Sequence, residues 1–263
     1  MTLITETMLR AMWKRGIPAP FPLATDDRLT PAAADFLKGR GIPVKPHGKT
    51  ESPADSGNIE KADDMFTIPS GVSNRHVHLS KEHVEQLFGT GYELTPFRNL
   101  SQPGQFAANE QITLLGPKGM ISHVRILGPA RGASQVEISR TDGFQLGIHP
   151  PIRLSGHVEG TPGITLIGPK GCVTLEQGVI IAKCHVHLSG EEAERMGISQ
   201  HDSLVLQTTG DRPIIFPDVA VRISPNYRLD FHIDQDEANA ANVRTGDHVR
   251  IIGKNGRMGS LAR

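Results

Sequence analysis

The hexapeptide Arg75–Ser80, RHVHLS, returns as CHVHLS at Cys184–Ser189. In a strand, side chains alternate between faces, so His76 and His78 share one face while Val77 and Leu79 take the other. The same alternation runs from Cys184 to Leu188. Each copy ends a run with strand character and precedes a short helical pattern, so the repeating object is a strand followed by a helix. A third, divergent copy lies further on. HLSGEEAERMGISQHDSLVL, from His187, aligns at a constant offset of 45 with HIDQDEANAANVRTGDHVRI, from His232. Ser189 with Glu192 forms a capping-box pattern, and Asp234 with Glu237 resembles one. The units are therefore His76-x-His78, His185-x-His187 and Asp230-x-His232.

Repetition alone can be architectural. That explains the recurring apolar positions and leaves the imidazoles unexplained. Two histidines on one strand face make a bidentate edge for a metal such as zinc, with Zn–N distances of about 2.0–2.1 Å. Cross-strand or capping histidines without a metal are the competing reading. The two cysteines, Cys172 and Cys184, have no CxxC partner. A closed structural site is usually Cys-rich, so a catalytic site is favoured. Cys184 falls on the core face and reads as a small apolar residue. Five or six ligands suit two metals, or one metal with open positions. The candidate carboxylate is Glu137, on one face of SQVEISR with Gln135 and Ser139; a solvated strand face is its alternative reading. Arg131, Arg98 and Arg228 are candidate anion-binding residues, because the guanidinium fork donates two parallel hydrogen bonds to phosphate or carboxylate. Each also has a plain surface reading.

Around these motifs the chain divides into three. Residues 1–46 read as helices: Ile4, Met8, Leu9, Met12 and Trp13 form one stripe, and Thr30, Pro31 and Gly39 or Gly41 bracket a second helix. The first stripe suits either a detachable docking peptide or a helix folded back on its own domain. Residues 47–66 are polar and read as a linker. From residue 67 the chain reads mainly as strands. ITLLGPKG at 112–119 recurs as ITLIGPKG at 164–171. No helix and hydroxyl residue follow GPKG, so a β-turn is expected there rather than a phosphate loop. With 28 basic and 28 acidic residues, no global field attracts nucleic acid or an anionic membrane. No apolar run is long enough to span a bilayer.

The body resembles the PduL-type phosphate propanoyltransferase family. The resemblance covers residues 67 to about 258 and rests on SNRHVHLS, RNLSQPGQFAANEQITLLGPKG, RILGPARGASQVEISRTDGFQLGI, HPPIRLSGHVEGTPGITLIGP, GVIIAKCHVHLS and FHIDQDEAN. It implies an all-β core of two β-barrel-like domains with short helices, preceded by a helical N-terminal extension. It implies two zinc ions, one held by His76, His78 and Glu137, the other by His185, His187 and His232. Arg131 is then the phosphate-binding arginine, and coenzyme A is a substrate and product. The implied reaction converts propanoyl-CoA and phosphate to propanoyl phosphate and CoA. A metal-dependent thioester hydrolase and a non-catalytic shell-associated scaffold are the alternatives. The resemblance further implies residence in the lumen of a bacterial microcompartment, as in propanediol degradation. Residues 1–20 would be a targeting helix for a shell protein, 21–46 a further helical segment, and a homo-oligomer is compatible with this. Domains are expected at 67–160 and 161–263, with the first barrel a candidate for completion by the C-terminal strand.

Overall fold

Val77, Leu79, Val186 and Leu188 are completely buried, each between or beside the histidines of its motif. Burying such a side chain contributes about 1.5–3 kcal/mol, so one face of each His-x-His strand is committed to a core and the other must look elsewhere. A computed structural model describes residues 3–13, 16–24, 27–47 and 66–259. It divides into two units, 1–61 and 62–263. The predicted linker lies almost wholly outside the described residues.

The first unit holds β1 (Leu3–Ile4), α1 (Glu6–Trp13), β2 (Phe21–Ala24), β3 (Arg28–Leu29), α2 (Pro31–Lys38) and β4 (Val44–His47). Thr30 caps α2, Pro31 opens it and Gly39 ends it, as the sequence predicts. Other expectations fail. The segment is not purely helical, since β1 pairs with β3 and β2 with β4. Nor do 1–20 and 21–46 stand apart: Ile4, Leu9, Phe21, Ala33, Phe36, Leu37 and Ile42 share one small core. Ile4 and Leu9 are spent on that core, whereas Met8, Met12 and Trp13 stay exposed. The predicted apolar stripe is thus split between two neighbours-in-waiting, its own unit and solvent.

The second unit runs β5 (Thr67–Ser73), β6 (His76–His78), α3 (Lys81–Phe88), β7 (Pro96–Asn99), β8 (Phe106–Leu115), β9 (Met120–Gly128), β10 (Gln135–Glu137), α4 (Arg140–Leu146), β11 (Ile152–Arg153), β12 (Ile164–Ile167), β13 (Cys172–Leu175) and β14 (Val179–Ala182). It continues with β15 (His185–Leu188), α5 (Gly190–Met196), β16 (Ser203–Thr208), β17 (Ile215–Ile223), β18 (Asp230–Asp234), α6 (Gln235–Ala241), β19 (His248–Lys254) and β20 (Arg257–Met258). The protein is mostly β. One sheet is ordered β11-β14-β10-β6-β9-β8-β12-β13, with β7 also on β8. Its ends do not pair, so it is an open, curled half-barrel rather than the closed barrel expected. The other is ordered β16-β17-β15-β18-β5-β19-β20, and pairing of β16 with β19 closes six of its strands into a barrel.

One strand departs from chain order: the half-barrel holds β6–β14, and the barrel holds β15–β20 together with β5. β14, which leads into β15, lies in the half-barrel beside β10; β5, which leads into β6, lies in the barrel beside β18. Both of these pairings are parallel. Division at residue 160 therefore misses the partition, and the strand that crosses over is N-terminal in the body, not C-terminal. The chain changes sheet at 74–75 and again at 183–184, immediately before each His-x-His.

Each GPKG is a hairpin turn, with Gly116 N–H donating to Gly119 O and Gly168 N–H to Gly171 O, both 2.9 Å. Lys118 N–H caps the α4 carbonyl of Leu146, and Lys170 N–H the α3 carbonyl of Leu87, both at 3.0 Å. A side chain at Gly116 or Gly168 would collide with those carbonyls. The repeated turn is a helix-docking device.

Candidate active site

The strand registers assemble the site. β6 lies antiparallel to β10, setting His76 opposite Glu137 and His78 opposite Gln135. β15 lies antiparallel to β18, setting His185 opposite His232 and His187 opposite Asp230. Each His-x-His strand also has a parallel partner on its other side, β9 or β17. After the ligand-type residues comes a helix whose first turn is capped in place by Ser80, Ser139, Ser189 or Asp234. Those caps hold α3–α6 against the strand ends and so fix where each strand stops.

Two groups of side chains converge, each with ligand atoms within 4.8 Å of one another: His76, His78 and Glu137; and His185, His187 and His232. Five of the six are buried and His232 is half-buried. The sequence-predicted imidazoles thus face neither solvent nor core. They line one cavity of about 990 Å³, together with Arg98, Arg131 and Arg222. Arg228, the remaining basic candidate, is not part of its lining. Arg131 Nη2 lies 3.4 Å from His78 Nε2 and 3.5 Å from Nδ1. These distances put the guanidinium against the His78 ring. Its loop is tied down by Arg131 N–H donating to Leu79 O at 2.9 Å, while Ser134 Oγ accepts from Ser80 N–H at 2.9 Å.

Electrostatics separates the members. Burial, then the neighbouring His76, pushes His78 down to about 3. Burial pushes His185 down to about 4, helped by His232, and His187 down to about 2, helped by His185. At neutral pH these three imidazoles keep free lone pairs. Burial also acts to lower His76, but the charge and hydrogen bond of Glu137 outweigh it and raise the group. Burial would raise Glu137; the charge of His76 and its hydrogen bond instead hold the carboxyl well below its usual range. Glu137 Oε2 is 3.4 Å from His76 Nε2. The amide of Gln135 also donates to this carboxylate, at 2.6 Å.

A metal ion fits this donor set. Neutral imidazoles and a carboxylate are the ligand types of zinc. His76 Nδ1–H donates to Asn74 O and His185 Nδ1–H to Lys183 O, each at 2.8 Å, which reserves Nε2 in both. His187 Nδ1 is buried and, among the described residues, has no hydrogen-bond partner. An orphaned buried nitrogen costs about 1–3 kcal/mol unless something binds it.

Cys184 packs against the barrel core, as the sequence predicts. Burial, with the nearby Glu237 carboxylate, pushes its thiol up to about 12, so it is no ready nucleophile. Sequence reasoning overlooked one unit. Gln135-x-Glu137-x-Ser139, followed by a capping box on Asp142, is a fourth copy of the pattern that ends at Ser80, Ser189 and Asp234. The signal was the spacing of strand, cap and helix; the missing histidines hid it.

A closed barrel and an open half-barrel, joined by the crossover of β5 and each presenting a cluster of three ligand-type side chains to one cavity, define an enzyme-type centre. Residues 69–244 match the family model described as phosphate propanoyltransferase. The chain is 57% identical over 183 residues to the phosphate propanoyltransferase of Thermotoga maritima, covering 69% of this chain and 87% of that protein. It is 52% identical over 200 residues to that of Listeria monocytogenes, covering 74% and 94%. The chain belongs to the phosphate propanoyltransferase family, and it is a transferase. Among the described residues, no helix is long and apolar enough to cross a membrane.

Proposed function

We propose that this protein transfers a propanoyl group reversibly between coenzyme A and inorganic phosphate, with one zinc ion held by His76, His78 and Glu137 and a second by His185, His187 and His232. The observation that carries the reading is the opening of both clusters on one cavity beside Arg131. When bound, zinc supplies polarisation of the thioester carbonyl and stabilisation of the departing thiolate. Arg131 holds the phosphate by charge-assisted N–H donation and aims one of its oxygens at the thioester carbon. The new C–O bond forms as the C–S bond breaks, and the proton of hydrogen phosphate ends on the CoA thiol. Phosphate is already anionic, so no serine nucleophile is required. The chain's main contribution is proximity and charge.

Initial rates of CoA release from propanoyl-CoA, measured with and without phosphate beside elemental analysis, test this. Phosphate-dependent release by protein carrying two zinc equivalents is expected. Equal release without phosphate would make the protein a thioester hydrolase. Neither metal nor transfer would leave a scaffold.

The N-terminal unit supports a location in the lumen of a bacterial microcompartment. Exposed Met8, Met12 and Trp13 offer an apolar face for a shell protein, and burying it is worth about 25 cal/mol per Å². Because Leu9 belongs to the unit's own core, a point substitution is a cleaner probe than a deletion. Met8→Asp with Met12→Asp should leave turnover unchanged and abolish co-sedimentation with assembled shells. Retained co-sedimentation would remove this face from the contact.

A further inference from the structure

The strand registers set two further residues opposite the second histidine of each His-x-His. Gln135 stands opposite His78 as Asp230 stands opposite His187. Each lies two residues before the third member of its cluster, Glu137 or His232. Gln135 is 4% exposed and Asp230 5%. Gln135 Oε1 accepts Gly156 N–H at 2.7 Å, which turns the amide so that Nε2 donates to Glu137 Oε1 at 2.6 Å and to Ser155 Oγ at 2.9 Å. Asp230 Oδ2 lies 3.0 Å from His232 Nε2. A carboxylate oxygen accepts, so Nε2 carries the hydrogen and Nδ1 keeps the lone pair. Asp230 itself is outside the converging groups.

The polarity is matched to the ligand: a donor stands behind the carboxylate and an acceptor behind the imidazole. Backbone carbonyls two residues before His76 and His185 perform the same service for the first ligand of each cluster. On β5, Gly71 lies opposite His232. A Cβ there would stand 3.1 Å from Asp230 Oδ2 and 3.4 Å from His232 Nε2, so the glycine leaves room for that pair.

We propose that Gln135 and Asp230 are equivalent positioning residues of the two metal sites, Gln135 orienting Glu137 through its amide N–H and Asp230 fixing His232 in the tautomer that binds through Nδ1. This rests on the two-metal reading above.

Zinc titration against a competing chelator, on full-length protein, tests it. Loss of such an outer partner typically weakens a metal site about 10–100-fold. Gln135→Met should weaken one zinc equivalent by that factor and leave the other unchanged; Asp230→Ala should weaken the other. Asp230→Asn keeps an acceptor oxygen and should stay close to wild type, a rescue that a merely space-filling role does not require. The visible spectrum of the cobalt-loaded protein should change in Gln135→Met and Asp230→Ala, while melting of the metal-free proteins stays near wild type. Two zinc equivalents of wild-type affinity in both Gln135→Met and Asp230→Ala would overturn the assignment. Failure of the wild type to bind zinc would instead overturn the metal reading beneath it.

Discussion

His187→Ala should remove one zinc equivalent and lower phosphate-dependent transfer by well over 100-fold, beyond the about 10–100-fold typical of losing an outer partner. His76→Ala should do the same at the other cluster. His187 is 6% exposed and His76 7%, so alanine leaves a hole walled by protein rather than a place where solvent can restore the ligand geometry. The effect should be site-selective, because the two clusters stand on different sheets. Inductively coupled plasma analysis of dialysed protein, run beside initial rates, reads both quantities. Full metal occupancy in both variants would defeat the ligand assignment. In His76→Ala the Glu137 carboxylate also loses its ionic partner at 3.4 Å. That variant should therefore be the less stable of the two, since an uncompensated buried charge costs about 3–5 kcal/mol.

Arg131→Ala should raise the phosphate concentration needed for half-saturation by about 30- to 1,000-fold, the equivalent of losing one or two charge-assisted hydrogen bonds. Saturation by propanoyl-CoA should change far less. The guanidinium lies against the His78 ring and its loop is anchored through the backbone, so truncating the side chain leaves the loop's path intact. Arg131→Lys should recover only part of the loss, because lysine keeps the charge and forfeits the planar fork. Steady-state kinetics with phosphate varied, at unchanged metal content, decides the matter. An unaltered phosphate dependence would take Arg131 out of the phosphate subsite.

Much of the site was legible in the chain because its physics is local. Alternation put Val77 and Leu79 on one face and the imidazoles on the other, and S-x-x-E spacing marked the start of α5. What escaped is what depends on distant partners. Whether a sheet closes is decided by the pairing of β16 with β19, which no periodicity encodes. The crossing of β5 was invisible because a strand's sequence reports burial, not neighbours. In the N-terminal unit, Pro22 and Pro46 sit within paired strands, where a proline argues against a strand unless it lies at an edge. Gln135 lies two residues from Glu137 in the chain, but an amide carries no metal signature, and its hydrogen bond to that carboxylate depends on the fold.

The placement of β5 in the barrel bears on how the molecule comes into being. As the chain leaves the ribosome, β5 emerges first in the body yet has no partner until β18 and β19, near residues 230 and 250, have been made. The half-barrel is built from the contiguous stretch β6–β14, whereas the barrel closes only when β5 joins β15–β20. The two halves are therefore coupled through one strand: severing the peptide between residues 183 and 184 would leave the N-terminal fragment holding β5, which belongs to the barrel of the other. Long-range closure of this kind slows folding. It also ties the two clusters together, since each crossover ends at the carbonyl, Asn74 or Lys183, that steadies the first histidine of a site. Assembly of the sheets and assembly of the centre are one event.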